Sequence, residues 1–164
     1  MQVSDIMTKE VISVSPSAKI IGVADLLHQK GFNGVPVVES GKVLGMITEA
    51  DLVSRGPTSF HIPSLIKFFH EFKPEKYVQG KLKEDFRSIF EADAASIMNS
   101  EYIAVSPYAE ITELIKIFQE KHANPIPVID KEKNLLGIIS LSDIVKLISH
   151  FRESELNFIS GTEL

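Results

Sequence analysis

Hydrophobic positions along this chain change period in a fixed order, and the order occurs twice. Val11-Ile12-Ser13-Val14 is a short β-prone run closed by Ser15-Pro16, and Tyr102-Ile103-Ala104-Val105 is a second one closed by Ser106-Pro107. Beyond each proline the spacing becomes helical. Ile20, Val23, Ala24 and Leu27 fall at i, i+3, i+4 and i+7, and so do Ile111, Leu114, Ile115 and Phe118. Gly31 predicts the stop of the first helix. The apolar runs Val35 to Val38 and Val43 to Ile47 then predict two strands joined by a turn at Glu39-Ser40-Gly41-Lys42. Each unit therefore reads strand, helix, strand, strand, helix.

The duplication extends to individual residues. Met7 answers to Met98, Val35-Pro36-Val37 to Ile126-Pro127-Val128, and Gly45-Met46-Ile47-Thr48-Glu49-Ala50-Asp51 to Gly137-Ile138-Ile139-Ser140-Leu141-Ser142-Asp143. A one-residue slip between the copies falls in the turn Asp130-Lys131-Glu132-Lys133-Asn134, where an insertion is tolerated most easily. A repeat of this size buries its apolar face by stacking on its twin. Any cleft between the copies then comes in two related versions.

The copies part company in the last helix. Ser142 to His150 continues as an amphipathic helix through Ile144, Val145, Leu147 and Ile148, whereas the first copy runs from Arg55 into Gly56-Pro57 and is expected to break there. The expected organisation is a first repeat over 1–55, a helical insertion over 56–92, a second repeat over 93–150 and a C-terminal tail over 151–164. The insertion holds Phe60, Phe68, Phe69, Phe72, Phe86 and Phe90. With Pro63 opening a helix, Ile62, Leu65, Ile66, Phe69 and Phe72 share one side, and Leu82, Phe86, Ile89 and Phe90 repeat that spacing. Those helices either extend the core of their own chain or meet a second subunit.

Composition removes several function classes. The 164 residues carry a formal net charge of -5, with Lys and Arg scattered, so a sequence-independent nucleic-acid binder is not expected. There is no cysteine, and hence no disulfide, thiolate nucleophile or Cys-ligated metal. The five histidines, His28, His61, His70, His122 and His150, form no H-E-x-x-H pair, and no metal site is expected. No apolar run approaches the roughly 18 residues of a membrane span, and the N-terminus lacks signal-peptide character. A cytoplasmic protein without membrane contact is the expectation. A P-loop and an oriented nucleophile with its base are also missing, so the chain does not read as an enzyme and no catalytic residue or catalytic cofactor is assigned.

Chemistry concentrates at Thr48-Glu49-Ala50-Asp51 and Ser140-Leu141-Ser142-Asp143, each following a glycine-containing strand and opening a predicted helix. The spacing is that of a capping-box variant, the hydroxyl capping backbone N–H groups and the acid reaching back. The same geometry sets a helix N-terminus with free N–H groups at a strand end, where a phosphate is favoured, beside an acid able to hold a ribose diol. Arg55, one turn beyond Asp51, is a candidate phosphate partner. The second copy has Leu147 at the matching place.

The Asp5-Ile6-Met7-Thr8 and Ser96-Ile97-Met98-Asn99 entries, the Ser-Pro before a helix, the hydrophobic-Pro-Val strand and the G-hydrophobic-hydrophobic-[ST]-x-x-D close together resemble the CBS domain, and the ordered pair resembles a Bateman module. The resemblance implies an α/β (α+β) fold of two tandem β-α-β-β-α repeats with pseudo-twofold symmetry, with the helical insertion added. It also implies clefts that take adenosine-containing ligands, the hydroxyl meeting phosphate and the acid holding ribose.

Carried over, one cleft combines Ile139, Ser140 and Asp143 with Thr8, Ser13, Asn33, Gly34, Val35 and Pro36. The other combines Ile47, Thr48, Asp51 and Arg55 with Asn99, Ala104, Asn124, Pro125, Ile126 and Pro127. Pro125 replaces the counterpart of Gly34 and lacks a backbone N–H, and the first copy's last helix is interrupted, so the Ser140/Asp143 cleft is the favoured one. The expected function is a regulatory module that senses an adenine nucleotide of the AMP, ADP or ATP class and signals to a regulated protein on another chain, as a homodimer. The alternative is a dimerisation or interaction scaffold whose clefts bind no nucleotide.

Overall fold

The computed structural model describes residues 1–54 and 91–160. The phenylalanine-rich insertion, its two expected helices, the Gly56-Pro57 break and Arg55 lie outside the described residues. The protein has an α+β fold. Its described elements, in chain order, are α1 (Val3–Ile6), α2 (Ile20–Lys30), β1 (Gly34–Glu39), β2 (Lys42–Thr48), α3 (Glu49–Ser54), α4 (Ala94–Ile97), α5 (Ile111–Lys121), β3 (Ile126–Ile129), β4 (Leu135–Ile139) and α6 (Leu141–Ser160). These elements gather into two compact units, one of Met1–Val11 with Ile103–Leu164 and the other of Ile12–Tyr102.

The packing units do not coincide with the sequence repeats. The first eleven residues, which the repeat pattern assigns to the first copy, belong with the second. Val3 is fully buried there among Ile111, Leu114, Phe118, Ile126, Val128 and Ile139, and its amide donates to Ala109 O at 3.0 Å. Correspondingly, α4 supplies Ala94 and Ile97 to the core of the other unit, beside Ile20, Val23, Leu27, Val35, Val37 and Ile47. In both units an incoming four-residue helix thus closes a core built by a longer helix and a hairpin.

The strand expected at the start of each repeat contracts to one bridging residue. Val14 N donates to Pro36 O at 3.0 Å and Val38 N to Val14 O at 2.8 Å, a parallel bridge that Val105 repeats with Pro127 and Ile129. Pro36 and Pro127 lack the N–H that would extend such a ladder, but their carbonyls still accept. The hairpins form in antiparallel register, Val35 opposite Ile47 and Ile126 opposite Ile139, each with an irregularity after Val37 or Val128.

On α2 and α5 the helical period translates into full burial at three of the four expected positions each. Ile20, Val23 and Leu27 are buried on α2, and Ile111, Leu114 and Phe118 on α5, but Ile115 is 36% exposed and Ile117 packs against the core in its place. Both helices end on a left-handed residue, Gly31 at φ 64 and His122 at φ 51. Helix α6 runs through Ser160, ten residues past the expected end of the second repeat at 150. Among the described residues, no helix is long and apolar enough to cross a membrane.

Candidate functional site

The last strand of each hairpin carries a buried isoleucine, Ile47 or Ile139, which is fully enclosed in its core. Strand alternation turns the next residue, Thr48 or Ser140, outward at the point where the helix begins. Two residues before Ile139, Gly137 lets the incoming segment close in. A Cβ placed there would meet Met7 Sδ at 2.6 Å and Thr8 O at 3.0 Å. Gly45 does the same in the other unit, where a Cβ would meet Asn99 O at 2.9 Å and Met98 Sδ at 3.0 Å. The glycine of the motif and the methionine of the entry segment, separate features in the sequence, are therefore one contact.

That contact sets the neighbours of the two motif hydroxyls. Thr8 and Ile138 exchange backbone hydrogen bonds, both 2.9 Å, which puts Thr8 on β4 beside the Ser140 end. Asn99 and Met46 do likewise at 2.8 and 3.0 Å, beside the Thr48 end.

At the head of α6, Ser140 N donates to Asp143 Oδ2 at 2.8 Å and Ser140 Oγ donates to the same oxygen at 2.7 Å. Leu141 N donates to Asn124 Oδ1 at 3.0 Å. Asp143 Oδ1 faces Lys146 Nζ at 3.5 Å, the Asp143 side chain being 11% exposed and that of Lys146 71%. The acid reaches back as the spacing requires. The hydroxyl, however, spends its hydrogen on the carboxylate, which can only accept. To donate to a phosphate it must first turn away from Asp143.

The other unit repeats the arrangement. Thr48 N and Thr48 Oγ1 both donate to Asp51 Oδ2, at 2.9 and 2.6 Å, and Asp51 N approaches Thr48 Oγ1 at 3.4 Å. Here Glu49 N donates to the backbone carbonyl of Asn33 at 3.1 Å, so a main-chain oxygen stands where the Asn124 side chain stands in the second repeat. Asp51 is the one buried charged residue among the described residues, at 8% exposure.

The sequence-derived residues divide between the two units. Thr8, Ala104, Asn124, Pro125, Ile126, Pro127, Ile139, Ser140 and Asp143 belong to the unit of residues 1–11 and 103–164, and Ser13, Asn33, Gly34, Val35, Pro36, Ile47, Thr48, Asp51 and Asn99 to that of residues 12–102. Asn124 thus sits on the cap that carries Ser140, and Asn33 on the cap that carries Thr48. Comparing the residues four beyond each aspartate, Arg55 and Leu147, misses Lys146. Its i,i+3 spacing from Asp143 on an amphipathic helix is the signal that points to it. Among the described residues, no cluster of three or more His, Asp or Glu could hold a metal ion.

Comparison with known proteins bears on this geometry. The CBS domain family model matches residues 3–57 and 94–150, and the chain belongs to that family as a tandem CBS pair. Two uncharacterised proteins of Methanocaldococcus jannaschii are similar to it. MJ0188 is 27% identical over 146 residues, which are 89% of this chain and 43% of that protein; MJ1426 is 25% identical over 154 residues, 90% and 91%.

Among solved structures, a putative acetoin utilization protein (AcuB) from Vibrio cholerae superposes with a TM-score of 0.71 at 21% identity, covering 96% of each chain. CBSX2, an Arabidopsis thaliana CBS-pair protein, was solved in complex with AMP and superposes at 0.67 with 18% identity, covering 92% of this chain and 98% of that one. The CBS pair of MJ0100, solved with 5′-methylthioadenosine and S-adenosyl-L-methionine, superposes at 0.63 with 19% identity, covering 92% and 97%. Two of the CBS pairs that share this fold were thus solved with adenosine-containing ligands.

Proposed function

We propose that this protein is a regulatory module that binds an adenosine-containing nucleotide of the AMP, ADP or ATP class and passes occupancy to a partner on another chain as a conformational change. The observation that carries the reading is the Asp143 carboxylate. One oxygen is fixed by both donors of Ser140, and the other faces only a long, exposed lysine among its described partners. A ribose diol offers two O–H donors to such an acceptor, and a Ser140 hydroxyl released from Asp143 becomes a donor to a 5′-phosphate. The adenosine ligands of the structurally similar CBS pairs support the same class. The Ser140/Asp143 end is favoured over Thr48/Asp51 because the lead amide of α6 is held by a side chain, which can be displaced, rather than by main chain. For occupancy to act as a signal, the ligand must bind two arrangements with different affinity.

Calorimetry and thermal shift with AMP, ADP, ATP, NAD and S-adenosylmethionine test this on the wild type and on Asp143→Ala. A ligand at 100 times its Kd is expected to add about 2.7 kcal/mol of stability to the wild type. No shift with any of them at millimolar concentration removes the nucleotide reading. Binding that survives Asp143→Ala but not Asp51→Ala moves the site to the other motif.

A second reading, an interaction scaffold, draws on a different observation. Leu141, Val145 and Ile148 lie at i, i+4 and i+7 on α6 and are 48%, 64% and 64% exposed. A second copy of the chain covering that stripe makes a homodimer. Sedimentation of Val145→Glu tests it, the expected result being loss of a dimer that the wild type forms.

A further inference from the structure

We infer that Lys146 sets the ligand preference of the Ser140/Asp143 end, selecting adenosine ligands that carry a 5′-phosphate against those that carry none. The inference rests on the reading of that end as an adenosine site. Lys146 Nζ lies 3.5 Å from Asp143 Oδ1, while Asp143 Oδ2 is taken by the amide and hydroxyl of Ser140. A ribose hydroxyl that binds Asp143 must therefore compete with the lysine for Oδ1. An ion pair whose lysine is 71% exposed contributes little, so the competition is mild.

The displaced ammonium does not leave the site. Side chains on a helix lean toward its N-terminus, so a lysine three residues beyond Asp143 remains directed at the cap formed by Ser140. A ligand bearing an anion there gives the ammonium a new partner, whereas a neutral ligand leaves it unpaired and a cationic one is repelled. The first repeat has Ser54 at the matching position, three residues after Asp51, and its candidate cation, Arg55, comes one residue later.

Titration calorimetry of AMP and adenosine against wild type, Lys146→Ser, Lys146→Arg and Asp143→Asn tests the assignment. Lys146→Ser is expected to weaken AMP about three- to five-fold and to leave adenosine unchanged or slightly tighter, so that the AMP-to-adenosine ratio falls. Lys146→Arg is expected to keep the ratio, and rising salt to lower it in the wild type but not in Lys146→Ser. An unchanged ratio in Lys146→Ser overturns the inference while the adenosine site stands. Asp143→Asn binding AMP as tightly as the wild type overturns it as well. If neither ligand binds the wild type at millimolar concentration, the adenosine reading itself falls and the inference with it.

Discussion

Asp143 Oδ2 accepts two hydrogen bonds from the same residue, the amide of Ser140 at 2.8 Å and its hydroxyl at 2.7 Å. A single oxygen thereby ties the end of β4 to the first turn of α6. The donor pair leaves the second oxygen to Lys146 alone among its described partners, so the atom proposed to accept a ligand is one that the cap does not use.

Asp143→Ala is expected to cost about 1 to 2 kcal/mol of stability in urea unfolding, the range for losing a helix cap. Ser140→Ala is expected to cost less, because the amide still finds the carboxylate. The double variant should lose less than the sum of the two, with a coupling of at least about 0.5 kcal/mol. Additive losses would mean that the two residues act independently.

Gly137→Ala forces a Cβ to within 2.6 Å of Met7 Sδ and 3.0 Å of Thr8 O. Overpacking of this kind costs about 1 to 3 kcal/mol. Adding Met7→Ala should restore part of the loss, since a side chain is the nearer obstacle. Gly45→Ala meets the backbone oxygen of Asn99 first, at 2.9 Å, so Met98→Ala should restore less there. Chemical denaturation of the four variants reads the difference directly.

His122 ends α5 at φ 51 where Gly31 ends α2 at φ 64. A side chain in this region is strained, and relief by glycine exceeds glycine's entropic cost. His122→Gly is accordingly expected to stabilise by about 0.5 to 1 kcal/mol, measured as a rise in the denaturation midpoint. Gly31→His is expected to lower it.

Tyr102 donates its hydroxyl to Val43 O at 2.9 Å, and burial raises its pKa above the ordinary tyrosine value. The charged phenolate is disfavoured in the fold, so the contribution is complete below the unfolded-state pKa near 10 and is lost as pH rises through the higher folded value. Tyr102→Phe should cost about 0.5 to 1.5 kcal/mol at neutral pH and flatten the alkaline loss of stability. An alkaline limb identical in Tyr102→Phe would assign that loss to other groups.

The elements of each hairpin and of the long helices were legible because the signals are local. Val35 and Ile47, or Ile20, Val23 and Leu27, declare their buried face through spacing alone. Ile115 fits the same period as its buried neighbours, because two adjacent stripes share it and only the packing partner decides which is covered. The two caps were legible too, since Thr48 and Asp51, or Ser140 and Asp143, interact across three residues. The direction of the hydroxyl's hydrogen was not, because it depends on which acceptor lies closer once the turn has formed.

The sequence by itself determined that there are two units, the order of the long helix, hairpin and closing helix in each, and the residues that cap that closing helix. Only the tertiary structure decided which copy receives the first eleven residues. Met7 and Met98 carry the same pattern, and so do Gly137 and Gly45, so every pairing that one entry segment can make, the other offers as well. A duplicated sequence is degenerate in just these long-range contacts. The packed cores remove the degeneracy, with Val3 enclosed beside Ile139 in one and Ile97 beside Ile47 in the other. The same packing sets Thr8 beside the Ser140 end and Asn99 beside the Thr48 end, pairings that the family resemblance implies but that residue spacing alone has no physical means to express.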